Sequence, residues 1–148
     1  GQGGRLFIEL RDKNSLAYSV SPLRMEGLDA GYFGAYIGCT PDKAPKALEM
    51  MRVEFSKLCD KKIGDEELLR SQKYLTGSHD LDLQRVSSLA ASILYDDIYG
   101  IPFDQTFHLA EKYFSVTAEE IQTVARKIFS GKSVISLVGP VDNIKHNK

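Results

Sequence analysis

"LRDKNSLAYSV", residues 10–20, joins two periodicities across one turn. Upstream, Leu6, Phe7 and Leu10 fall at helical spacing, which predicts a helix from about Gly4 to Arg11. Downstream, "YSVSPLRME" and "GYFGAYIGCT" read as two strands, joined by the turn formers of "GLDAG". A helix that feeds a hairpin sets an α+β reading. The same turn carries Arg11 and Tyr18 at its two lips. A fixed cation and a phenol are two donors able to converge on one acceptor. The structural alternative has Arg11 facing the C-terminal end of its helix dipole and Tyr18 packing in the sheet.

Working outward, Phe33, Ala35, Ile37 and Cys39 alternate with Tyr32, Gly34, Tyr36 and Gly38. One face is apolar. The other interleaves glycines with tyrosines, which lets something approach the backbone closely. Pro41 opens a long helix with Ala44, Ala47, Leu48, Met51, Phe55 and Leu58 on one side. A second helix is expected after Gly64, with Glu67 three residues on and Ile63 and Leu68 placed as a hydrophobic staple. A third carries Val86, Leu89, Ala90, Ile93 and Leu94 and ends near Gly100, and a short one follows from Phe103 to Tyr113. In "VTAEEI" Thr117 is the cap, Glu120 completes a capping box, and Val116 with Ile121 forms the staple of a helix running to about Phe129. "SVISLVGP", residues 133–140, is mostly apolar and is predicted to be a final strand buried on both faces. "VDNIKHNK" reads as a frayed tail. The expected organisation is one α+β domain over residues 1–140 and a tail over 141–148, with helices covering one face of a small antiparallel or mixed sheet.

The chain has 148 residues and a net charge of −1, the size of one domain. It lacks an apolar run of the roughly 18 residues that cross a bilayer, and it has no basic footprint. Neither a membrane nor a nucleic acid is therefore expected as a partner. Cys39 and Cys59 do not have metal-ligand spacing and are expected as free thiols, one in a strand and one near a helix end. A start at Gly1 suggests a processed or excised piece, with any targeting segment upstream.

Four short stretches invite a chemical reading. "GQGG", residues 1–4, precedes a helix, but it is not G-x-x-x-x-G-K-[ST] and no strand feeds it. A flexible helix entry is the better reading than a nucleotide site. "HLAEK", residues 108–112, has the first histidine and the glutamate of H-x-x-E-H, but Lys112 replaces the second histidine and an ammonium cannot ligate zinc. His108 is expected on a helix surface. His79, Asp80 and Asp82 cluster at a helix junction, where capping is favoured over a weak cation site. Asp96 and Asp97 are adjacent on a helix, diverge, and make a solvated face. No complete catalytic constellation and no metal site emerges.

"GGRLFIELRDKNSLAYSV" resembles the C-terminal half of the insulinase/pitrilysin-type zinc peptidases. The later pieces "GCTPDKAPKALEMM", "IGDEELLRSQKYLTGS", "YFSVTAEEIQTVARKIF" and "VISLVGP" agree in order, so the resemblance runs from about Gly3 to Pro140. It implies a metallohydrolase-like α/β sandwich, built as paired homologous domains that close around an unfolded peptide. It also implies that zinc and the general-base glutamate belong to the N-terminal half of the parent protein, and that this chain itself holds no cofactor. From an L-R-…-L-[GA]-Y stretch, it assigns substrate and transition-state contacts to Arg11 and Tyr18. Asp12 stands where the family often has glutamate, and Ala17 where it often has glycine, which would matter if that position needs a positive φ. The family domain begins with a strand and helix before the glycine-rich loop, so a sheet lacking its first strand and helix, with an open edge, is expected. Such a fragment could form a homodimer.

Three functions follow. The first is the substrate-side, non-zinc-binding domain of a zinc metalloendopeptidase, inactive alone, with the N-terminal catalytic domain or subunit and a peptide substrate as partners. The second is a non-catalytic structural or substrate-presenting subunit of the same fold. The third, a nucleotide-binding module, rests on "GQGG" alone.

Overall fold

The computed structural model describes residues 3–140; Gly1, Gln2 and the expected tail over 141–148 lie outside the described residues. The chain divides into two compact units, Gly1–Asp60 with Val124–Lys148, and Lys61–Thr123.

In the first unit a helical segment leads into a hairpin of β1 (Ser19–Met25) and β2 (Tyr32–Gly38), an antiparallel pair in the register Ser19 to Gly38 through Met25 to Tyr32. The lead segment is wound wider than predicted, as a π-helix over Phe7–Lys13. Thr40 precedes a turn of 3₁₀-helix with Pro41 at its first position, where proline's missing N–H costs nothing, and this runs straight into α1 (Ala44–Asp60). The core is made where these pieces meet. Leu10, Ala17 and Ala47 are buried, and Leu16, Val20, Ile37, Cys39 and Met51 pack against them. The apolar face of β2 therefore points at the helices, as its alternation requires. Phe33, Phe55 and Phe129 extend that contact, with Phe55 and Phe129 stacked at 4.4 Å and Phe33 edge-on to both.

The second unit is helical, with α2 (Asp65–Leu83), α3 (Val86–Ile98), a 3₁₀ turn at Gln105–His108, α4 (Leu109–Ser115) and the start of α5 (Ala118–Phe129). Buried Gln72 of α2 donates through Nε2 to the carbonyls of Tyr113 at 3.0 Å and Val116 at 3.1 Å, filling acceptors that the end of α4 leaves open. His79 donates through Nε2 to the Thr106 carbonyl at 2.8 Å and ties α2 to the 3₁₀ turn. Gly100 has φ of +67°; its N–H reaches the Asp97 carbonyl and that of Ile101 reaches the Asp96 carbonyl at 2.7 Å, a Schellman stop that ends α3 where the sequence predicts. The capping box of α5 forms as read. Glu120 accepts from the Thr117 N–H at 2.8 Å, and the Glu120 N–H donates to the Thr117 hydroxyl at 3.2 Å.

Two expectations are corrected. Residues 133–140 form no strand, and Val134 and Val138 are 97% and 99% exposed. A strand needs a ladder, and among the described residues the sheet consists of β1 and β2 alone. Asp80 and Asp82 do not cap a helix start, because α2 continues to Leu83 and places them in its last turns.

Leu10→Ala should cost about 2–5 kcal/mol, the range for emptying a fully buried leucine site, and a shifted denaturant midpoint at pH 7 would register it. A second expectation concerns acid. The Thr117 N–H, and then its hydroxyl, hold Glu120 below its ordinary value of 4.5. A carboxyl depressed by folding contributes stability above its unfolded value, lost as pH falls through the folded one. Glu120→Gln keeps the acceptor and removes the titration. Its stability loss between pH 6 and pH 3 should be smaller than the parent's, and equal losses would show that the box contributes nothing to the acid limb.

Candidate functional site

The turn between the π-helical segment and β1 is closed by one carbonyl. The Leu10 carbonyl oxygen accepts the Leu16 N–H at 2.7 Å and the Ala17 N–H at 3.3 Å. Asn14 Nδ2 donates to the Glu9 carbonyl at 2.7 Å, and the Ser15 N–H to that of Arg11 at 3.0 Å. The left-handed residue is Ser15, with φ of 49°, and Lys43 Nζ reaches across from the 3₁₀ turn to its carbonyl at 2.8 Å. Ala17 does not have a positive φ, so alanine in place of the family's glycine brings no strain there; it is buried in the core instead.

Arg11 and Tyr18 both face one open depression of about 270 Å³, whose wall also includes Ser15, Ala17, Thr40 and Lys43. The guanidinium of Arg11 sits 4.8 Å above the Phe7 ring, one winding back along the π-helix. Tyr18 is 66% exposed. Its N–H donates to the Gly38 carbonyl at 2.9 Å, and its ring crosses Gly38 so closely that a Cβ there would lie 2.7 Å from Cε2 and 3.2 Å from the hydroxyl oxygen. The close approach foreseen on the glycine–tyrosine face is thus made by Tyr18 itself, at Gly38. Nearby, the Thr40 hydroxyl holds Asp42 below the usual carboxylate range. Burial pushes the Cys39 thiol up, so it stays protonated and is a poor nucleophile. The depression can therefore donate hydrogen bonds and positive charge to an acceptor, and it contains no activated nucleophile.

Sequence reasoning brought Arg11 and Tyr18 to this place and missed Phe7 and Lys43. Phe7 stands four residues before Arg11, a spacing that marks it as a neighbour on any helix, whereas no sequence signal ties Lys43 to Ser15. The donor set does not fit zinc. No three His, Cys, Asp or Glu side chains cluster suitably among the described residues, His79 is committed to Thr106, and His108 lies 3.7 Å from Glu111 with Lys112 beyond. Neither does any helix among the described residues have the length and apolarity to cross a membrane.

The family model described as "Peptidase M16 inactive domain" matches residues 1–75. The chain belongs to the M16 peptidase family. It is a C-terminal, inactive-type domain of the insulinase-like zinc peptidases. An uncharacterized zinc protease of Streptomyces coelicolor is 30% identical over 141 residues, which is 95% of this chain and 31% of that protein. One from Rickettsia felis is 25% identical over 142 residues, 96% of this chain and 34% of that protein. The chain thus spans about a third of the length of the curated relatives it matches. The crystal structure of the periplasmic protease PqqL from Escherichia coli superposes on 84% of this chain, and 14% of its own, with a TM-score of 0.63 and 23% identity. It shares the α+β fold.

In this M16 domain Ser15→Gly should stabilise by roughly 1 kcal/mol, because left-handed backbone costs an L-residue about that much. Lys43 bonds a backbone carbonyl that glycine retains, so a lower denaturant midpoint would mean that glycine's greater freedom in the unfolded chain outweighs the relieved strain.

Proposed function

We propose that this M16 domain is the substrate-side, non-zinc-binding part of a zinc endopeptidase, and that Arg11 and Tyr18 donate hydrogen bonds to the peptide carbonyl under attack. The observation that carries the reading is that both line one open depression, Arg11 from the last turn of the π-helical segment and Tyr18 from the residue before β1. The names of the relatives support the metal and the reaction class. Zinc is assigned to the remainder of the full-length protein, in an N-terminal domain of the same fold, since the donors among the described residues do not fit it.

The chemistry of this chain is electrostatic. As water adds to a peptide carbonyl, negative charge grows on its oxygen, and preorganised donors lower the barrier. The Tyr18 hydroxyl supplies one donor. Arg11 supplies a planar fork that stays charged at any working pH. Phe7 keeps that fork over its ring face, so less side-chain freedom is lost when peptide arrives.

In the full-length protein, with a quenched-fluorescent random peptide mixture as substrate, Tyr18→Phe should lower kcat about 10²–10³-fold with little change in KM. Arg11→Lys keeps charge, loses the fork and should fall between that variant and the parent. Unchanged turnover in both removes the contact role. A full-length protein that cuts none of the mixture favours the non-catalytic, substrate-presenting reading.

A further inference from the structure

We infer that Gly38 is a positioning residue for Tyr18, and that its missing side chain sets where the phenol hydroxyl stands. The inference deepens the reading of Tyr18 as a peptide-contacting donor and rests on it.

Tyr18 is mostly exposed, so core packing does not hold its ring. Two features at residue 38 do. The Tyr18 N–H is bonded to the Gly38 carbonyl at 2.9 Å, which extends the β1–β2 ladder one step past its Ser19–Gly38 pair and fixes the Tyr18 backbone against β2. The ring then lies across the Gly38 Cα. A Cβ at this position would meet Cε2 at 2.7 Å, Cζ at 3.0 Å and the hydroxyl oxygen at 3.2 Å, all at the far end of the ring. The ring and its hydroxyl therefore lie closer to the strand than a side chain at 38 would allow. Ile37 packs on the core, so by strand alternation Gly38 faces the opposite side, where the exposed ring of Tyr18 lies across it. Any side chain at 38 lifts the hydroxyl by several tenths of an ångström at least.

The strand contains its own comparison. Gly34 lies on the same face of β2, paired with Leu23, and a Cβ there meets nothing within 4 Å. A general penalty for side chains on this face would appear at both glycines, whereas a positioning role appears at Gly38 alone.

The test uses the full-length protein and the quenched-fluorescent random peptide mixture, with Gly38→Ala, Gly34→Ala, Tyr18→Phe and the double variant Gly38→Ala/Tyr18→Phe. Misplacing a catalytic group by about 1 Å can cost about 10²-fold, so Gly38→Ala should lower kcat by about 10- to 100-fold with KM nearly unchanged. Gly34→Ala should match the parent. In the double variant the losses should fail to multiply, leaving it close to Tyr18→Phe alone, because a hydroxyl already absent cannot be misplaced. Thermal midpoints should stay near the parent's for both alanines, since an exposed ring can swing into water. Parent-like kcat for Gly38→Ala, multiplicative losses, or equal losses at Gly34 and Gly38 would overturn the inference while leaving the role of Tyr18 intact. A silent Tyr18→Phe would instead remove that role and the positioning role with it.

Discussion

The peptide unit of Leu10 is the constraint on which the first unit depends. Its side chain is fully buried, and its carbonyl accepts two successive amides from the far side of the turn. The buried side chain anchors the helical segment to the core, and the doubly used carbonyl ends that segment and starts the run into β1. The pair that follows is then placed by adjacency. Arg11 comes one residue after buried Leu10, and Tyr18 one residue after buried Ala17. On a helix the next residue turns well away from the core, and at a strand start it points to the opposite side. Two core residues closed on each other by backbone hydrogen bonds therefore put a guanidinium and a phenol together on the outside.

Size at position 17 belongs to the same constraint. The central cluster is one leucine and two alanines, Leu10, Ala17 and Ala47. Small residues there let α1, the turn and the sheet approach closely. The irregular backbone that the turn requires is displaced to Ser15, which is solvent-facing and held from outside by Lys43. The left-handed backbone thus sits in the turn itself, between Arg11 on the helical segment and Tyr18, the residue just before β1.

Features set by neighbours in the chain were legible in the sequence. The capping box at Thr117 and Glu120, the hairpin and its inward face, and the glycine stop at Gly100 each arise within a few residues, and all appear in the structure. Features set by a distant partner were not. Residues 133–140 have the composition of a buried strand, but a strand is defined by what it pairs with, and composition is silent on that. The π-helix differs from an α-helix by one residue in hydrogen-bond span, too small a difference for a stripe of three apolar positions to resolve. His79 looked like a metal or capping candidate because its neighbours are acidic, whereas its partner is a carbonyl of the 3₁₀ turn at Gln105–His108. The contact role proposed for Arg11 and Tyr18 rests on a family resemblance, since spacing alone favoured plain structural roles for both residues.

An exposed side chain that must hold a direction raises a problem that burial solves elsewhere. Tyr18 and Arg11 are exposed, as the proposed contact with a peptide would require, so burial in the core does not fix either of them. The structure fixes them by weaker means, a ladder hydrogen bond and an absent side chain at Gly38 for one, an aromatic ring face at Phe7 for the other. Such restraints limit direction more than they add stability. In water the electrostatic effect of these donors is small, and it rises steeply once solvent is excluded. A peptide laid across the depression would itself exclude that solvent. On the proposed role, their geometry is set before binding, while their strength would be supplied by it.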